Sequence, residues 1–151
     1  MAKKQKRVMG DFVKIKLDEK QHTYARVLAG PLFAFYDALT DKELSLEQIK
    51  ARPTLFKIWV MNRAVTTSRW EIVGNAPLEK ELLEEPYFFK KDALNPQKLS
   101  LYHEGKERPA TLEECKNLEC AAVWDAEHVE DRLRDHYAGK SNKWLESMSL
   151  K

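Results

Sequence analysis

The sequence predicts an α+β fold: a mostly antiparallel, twisted or barrel-like β-sheet with short helices and a C-terminal helix packed on it. Three observations predict it. Eleven of the fifteen aromatic residues lie between Phe12 and Phe89, in short apolar bursts separated by turn signals. Strand-like bursts come first and helical periodicity mostly last, the order of an α+β chain rather than of a βαβ chain. Residues 55–61 are apolar on both faces of an extended chain, so something must pack on each side of the sheet.

Gly10-Asp11 opens the first strand. Val13, Ile15 and Leu17 alternate there with Lys14 and Lys16 while Phe12 faces the other way, which is period two with one solvated face. Residues 18–21 are a hairpin connection and residues 23–28 return. Gly30-Pro31 turns the chain before a third strand at 32–36. Ser45-Leu-Glu-Gln48 is a capping box, and the helix it starts is short because Pro53 disfavours the helical state at Arg52.

Residues 55–61 are expected as the central strand, with Phe56, Ile58 and Val60 on one face and Leu55, Trp59 and Met61 on the other. A strand at 69–73 ends at Gly74-Asn75. Residues 77–85 read as one or two helical turns with Leu78, Leu82 and Leu83 on one side. Strands at 86–90 and 99–103 flank a loop, and Glu104-Gly105 is a turn. Thr111-Leu-Glu-Glu114 is a second capping box, and 120–124 is a buried strand. Asp125 is placed to cap the longest helix, 126–138, whose buried stripe is Val129, Leu133 and Tyr137 and whose stop is Gly139. Ser141 starts a last short helix carrying Trp144, Leu145 and Met148. The organisation expected is a disordered basic arm over 1–9 and a single α+β domain over 10–151.

A chain of 151 residues buries roughly 70% of its unfolded surface without staples. Its 43% apolar and 33% charged residues exclude a disordered chain. No apolar run approaches the roughly 20 residues of a membrane-spanning helix. No apolar stretch follows the basic start, so no secretory signal is expected and the compartment expected is the cytoplasm. There Cys115 and Cys120 are reduced thiols, read as small buried apolar residues.

The net charge of +2 includes Lys3, Lys4, Lys6 and Arg7 at the start, so residues 8–151 carry −2. Between Thr111 and Asp135 eight acids face three bases. The arm would suit nucleic acid, and the acidic stretch a basic protein.

The chain shows no motif for chemistry. His128 and His136 are eight residues apart on the predicted helix, not the four that paired metal ligands on a helix adopt. His128 with Asp131 and Arg132 reads as a solvated helix face, with pairs such as His128–Arg132 and Asp131–Arg134, before it reads as an acid–base site. Acids on successive helical positions point apart and do not converge on a cation. There is no GxSxG elbow and no phosphate-cradling glycine pattern. Tyr24, Phe33, Phe35 and Tyr36, with Arg26, bring single-strand stacking to mind, but aromatics fill cores before they line grooves. A nucleic-acid-binding barrel using the basic arm is the alternative reading. No enzymatic activity, metal or cofactor is expected.

Gly10-Asp11, Phe56-Lys-Ile-Trp-Val-Met-Asn62, Trp70-Glu-Ile-Val-Gly-Asn75, Glu85-Pro-Tyr-Phe-Phe89, Leu118-Glu-Cys-Ala-Ala-Val-Trp124 and Val129-Glu-Asp-Arg132 together resemble the immunity protein 26 family. These are small cytoplasmic bacterial proteins associated with polymorphic toxin systems. The similarity runs over about residues 8–138 and rests on core and turn segments. It implies a protein that binds a cognate toxin domain and covers its active site or locks it inactive, without catalysis. The acidic stretch then becomes the expected toxin-binding surface, through Glu113, Glu114, Glu119, Asp125, Glu127, Glu130 and Asp131. Reversing Glu127, Glu130 and Asp131 is expected to slow toxin binding and leave the fold intact, since they lie off the buried stripe.

One expectation about chemistry is testable at once. The purified protein should carry no stoichiometric metal and should melt at the same temperature with and without chelator. Elemental analysis finding about one equivalent of metal would contradict it.

Overall fold

A computed structural model describes residues 4–150. The chain forms two open sheets, neither closed into a barrel. The first has six strands in the order β10-β4-β3-β2-β1-β5, the second four in the order β8-β7-β6-β9. Strands β1 (Asp11–Lys16), β2 (His22–Val27), β3 (Leu32–Tyr36) and β4 (Thr54–Val60) form an antiparallel meander, and β5 (Glu71–Asn75) returns to pair with β1. The second sheet is built from β6 (Phe88–Lys91), β7 (Leu99–His103) and β8 (Lys106–Ala110). Two short parallel strands complete the sheets, β9 (Glu119–Cys120) beside β6 and β10 (Val123–Trp124) beside β4. The mixed α+β architecture is therefore the one the sequence predicts.

Both capping boxes are formed. Ser45 starts α1 (Leu46–Lys50) and Thr111 starts α4 (Leu112–Cys115), each exchanging bonds with the residue three positions on. Short turns α2 (Arg63–Thr66) and α3 (Lys80–Leu83) bridge strands. The long helix α5 (Ala126–Ala138) stops at Gly139, whose φ of +70° is the left-handed cap that glycine accepts most readily.

The first sheet is covered on both faces. On one, Val13, Ile15, Val27, Phe33, Phe35, Ile58, Val60 and Trp70 pack with Val129 and Leu133 of α5, and Tyr137 packs at the edge of this cluster. Trp70 stands edge-on to Phe33 and Phe35, with ring centroids 5.6 and 5.8 Å away. On the other, Phe12, Tyr24 and Tyr36 meet Ile49 of α1, while Leu28, Leu32 and Ala34 meet Leu82 and Phe88. The opposite face of the second sheet buries Phe89 and Leu101 against Cys115 of α4.

Several expectations need correction. Strand β4 is not central: β2 and β3 hold the middle of the sheet, and β4 lies one strand from the edge. Apolarity on both faces reports cover, not position. Ile58 and Val60 lie in the cluster beneath α5, while Trp59 packs on Phe88 and Tyr102 of the second sheet, at 4.5 and 5.3 Å. The segment 120–124 is not one strand. The chain crosses between the sheets here, leaving β9 on one and β10 on the other. Strand β8 was not expected, because an exposed edge strand with charges and a proline has no apolar period to reveal it. Asp125 occupies the cap position of α5, but its carboxylate pairs with Arg63 rather than with helix amides. Asn142, not Ser141, caps α6 (Lys143–Ser147), accepting from the Leu145 amide at 2.9 Å.

Of the arm expected over 1–9, residues 1–3 lie outside the described residues, and the rest contacts the body of the fold. The Gln5 side chain donates to the carbonyls of Val65 and Trp70, at 2.8 and 2.9 Å, and accepts from the Ile72 amide on the edge strand. Arg7 lies over the Phe33 ring at 4.9 Å and donates to the Leu32 carbonyl at 3.2 Å. Lys4 and Lys6 point outward.

Two buried charged groups tie these layers together. Arg26, wholly buried in β2, uses all five of its donors. They reach the carbonyls of Gly10, Ala76 and Pro77 at 2.8–3.0 Å, the Tyr36 hydroxyl at 3.2 Å and Glu79 at 2.9 Å. Its guanidinium lies 3.9 Å from the centroid of the Phe12 ring. Gly10 makes this junction possible, because a Cβ there would sit 2.5 Å from the Ala76 oxygen, at a φ of +95°. Glu130 on α5 is the second group. Its carboxylate accepts from Trp70 Nε1 at 2.9 Å and from Arg69 at two points, both 2.8 Å.

Removing either group strands buried partners. Arg26→Leu and Glu130→Ala should each destabilise the protein by about 3–5 kcal/mol, the range for one lost member of a buried pair. Glu127→Ala, at an exposed position on the same helix, should stay within about 0.5 kcal/mol of the parent. Urea unfolding curves check all three, and a Glu130→Ala midpoint matching the parent would contradict the role given to that carboxylate.

Candidate functional site

The seven carboxylates expected to face a partner do not form one acidic surface. Glu113 and Glu114 stand on α4, over the outer face of the second sheet, while Asp125, Glu127, Glu130 and Asp131 belong to α5 and its cap. Each has an intramolecular partner. Glu113 pairs with Lys116 and Glu114 with Arg108, both at 2.8 Å; the latter pairing holds the Glu114 carboxyl below its usual range. Glu119 is gripped at both oxygens by Arg132, at 2.9 and 2.7 Å. Asp131 accepts from Trp144 Nε1 at 3.1 Å and from Arg134 at 3.2 Å. Glu127, the most open of those on α5, is 3.9 Å from Arg69.

The expectation that reversing Glu127, Glu130 and Asp131 spares the fold is therefore wrong at Glu130. That residue lies off the Val129–Leu133 stripe, yet it is buried because Trp70 and Arg69 reach it from the first sheet. Arg132 also turns inward. It lies 3.6 Å above the Phe56 ring, so the expected His128–Arg132 pair is replaced by a stack of His128 on Trp144 at 3.7 Å. The Asp131–Arg134 pair is present.

Tyr24, Phe33, Phe35 and Tyr36 are core residues and offer no open ring faces to stack a base. Arg7, the nearest cation of the N-terminal segment, is engaged with the fold. A hollow of about 530 Å³ beside Lys90, Lys91, Lys98 and Arg108 is basic by composition. Three of those four cations are taken up, by Glu107, the Ser149 carbonyl and Glu114. Among the described residues no group of three or more His, Cys, Asp or Glu is placed to hold a metal ion, and no helix is long and apolar enough to cross a membrane. Burial raises both thiols above their ordinary values, so they are held as neutral SH groups.

A further surface was not picked out in the sequence. A groove of about 370 Å³ opens where the two sheets meet. It is lined by Pro31 and Leu32 from the β2–β3 turn, Trp59 from β4, Leu82 and Leu83 from α3, and Tyr102 from β7. Apolar side chains at or near its rim remain open: Leu83 is 61% exposed and Val123 52%. Val123 is the register partner of Trp59 on β10. Tyr87 stacks on His103 at 4.0 Å on the other side of the second sheet, since the alternating Phe88 and Tyr102 face the groove. Leu83 was expected to share a buried side with Leu78 and Leu82. On a helix of one turn the consecutive residues 82 and 83 diverge, and only Leu82 goes inward. That divergence is the signal that the sequence carried for this groove.

The acidic rim of the groove is not neutralised as α5 is. Among the described residues the carboxylates of Glu81, Glu84 and Glu85 make no ion pair. Lys57, the nearest cation below them, donates to the main-chain carbonyls of Glu81 and Glu84 instead, at 2.8 and 3.3 Å.

Compared with known proteins, the chain matches no curated protein and no solved structure. It does match a family model, described as immunity protein 26, over residues 8–100. The match takes in β1 to β6, the start of β7, Arg26 with its Gly10 junction, and every groove-lining residue except Tyr102. The segments at 118–124 and 129–132 fall beyond it. With well over half of its length matched, the chain belongs to the immunity protein 26 family.

Proposed function

We infer that this protein protects a bacterium by binding a cognate toxin domain of a polymorphic toxin system, covering its active site or holding it inactive. The observation that carries this reading is the family match over residues 8–100. The architecture is consistent with it. A body held by two buried charged side chains and two packed sheets is preorganised, and preorganisation lowers the ordering cost of association. The partly exposed aromatics at the sheet junction, Trp59 and Tyr102, are of the types that anchor protein interfaces. The action is stoichiometric, without turnover or cofactor, and takes place in the cytoplasm where an incoming toxin would act.

The test is survival. Toxin domains encoded beside this gene are expressed in a bacterial host, with and without the protein. Growth should be rescued for one of them, and the pair should co-elute as a complex when purified. If the protein rescues growth against none of these domains and forms a complex with none, the reading falls.

A further inference from the structure

We propose that the groove between the sheets is the toxin-docking site, and that it takes an apolar side chain flanked by Lys or Arg on the toxin domain. This rests on the immunity reading and says which face carries it.

Trp59 lines the groove. In β4 it points away from the α5 side, toward the second sheet, where it packs on Phe88 and Tyr102 without being closed over. The walls are apolar, from Pro31 and Leu32 on one side to Leu82 and Leu83 on the other. Leu83 at 61% exposure has no folding role that needs it apolar, since its neighbour Leu82 already supplies the buried contact of α3. An apolar pocket with an open aliphatic lip suits a partner's anchor side chain, and such anchors dominate association energy when fully desolvated.

Charge then selects the partner's chemistry. Glu81 and Glu84 are exposed beside the groove and Glu85 lines it. Lys80 on the same turn offsets part of this charge, and Lys57 is held by main-chain oxygens. The rim is thus net acidic and its carboxylates are available, whereas those of α5 and α4 are already paired within the fold. Complementarity calls for cations around the incoming side chain.

The test uses the full chain and the toxin domain that it neutralises in cells. Leu83→Asp should raise Kd about 30-fold or more, the effect of losing one central anchor. Glu81→Lys combined with Glu84→Lys should slow association about tenfold at low salt, with the difference shrinking as salt rises. Glu113→Lys, over the opposite face of the second sheet, should stay within about twofold, as a peripheral charge does. Melting curves establish that the variants are folded. Should Leu83→Asp melt early, Val123→Ser, at the exposed register partner of Trp59, replaces it with the same expected loss. A photo-crosslinking residue at position 83 should capture a toxin peptide with an apolar residue next to Lys or Arg.

Folded groove variants that bind as the parent does would overturn the groove while leaving the immunity reading in place. A crosslink to an acidic or purely polar segment, or a parent dimer that Leu83→Asp dissociates, would also overturn it, the latter because a second copy would then fill the groove. Failure of the parent to neutralise any toxin domain would remove both readings together.

Discussion

The buried Arg26 guanidinium is the contact on which the rest of this fold depends. It stands in β2, in the middle of the first sheet, and joins segments that the chain order keeps far apart: the turn at Gly10, and residues 76–79 after the fifth strand. A charge in that position is tolerable only because every donor finds an acceptor and the Phe12 face covers the carbon. In return it fixes where α3 begins. Since α3 supplies Leu82 and Leu83, the arginine sets one wall of the groove from beneath. The Glu130 carboxylate does the matching service on the opposite face, holding α5 against Trp70 through a hydrogen bond no apolar contact could direct.

Much of the fold was legible because periodicity and capping are local. The alternation of Val13, Ile15 and Leu17, the two capping boxes, the Val129–Leu133 stripe and the Gly139 stop all follow from neighbours within a few residues. What was not legible was long-range. Nothing near Glu130 in the sequence says that Arg69 and Trp70, sixty residues earlier, will bury it. Nothing near Gln5 says that it will bond to the edge strand at Ile72. The rank of β4 within the sheet was equally hidden, since the pattern of one strand records what covers it and not how many strands lie beyond.

The candidate site illustrates the same limit. A run of acids in one stretch of sequence suggested a charged face, yet a helix distributes successive residues around its axis and the fold supplied an arginine or lysine for each of the seven expected to meet a partner. Charge that is conspicuous along the chain was neutralised in space. Residues 81–85 attract less notice in the sequence, being fewer and interrupted by Leu82-Leu83, but their carboxylates keep no ion-pair partner among the described residues. Surface potential belongs to the folded arrangement, and only paired contacts reveal which carboxylates still offer it.

The crossing of residues 119–124 from one sheet to the other has a consequence for timing. Synthesis proceeds from the N-terminus, and the strands that finish each sheet, β9 and β10, are among the last made. The first sheet's meander can form early from near neighbours. The brace that holds the two sheets in register arrives only when Glu119 meets Arg132 and Trp124 lies down beside Val60. A nascent chain short of these residues has the groove's parts without its fixed width. The groove therefore gains its fixed width only after these residues have been made.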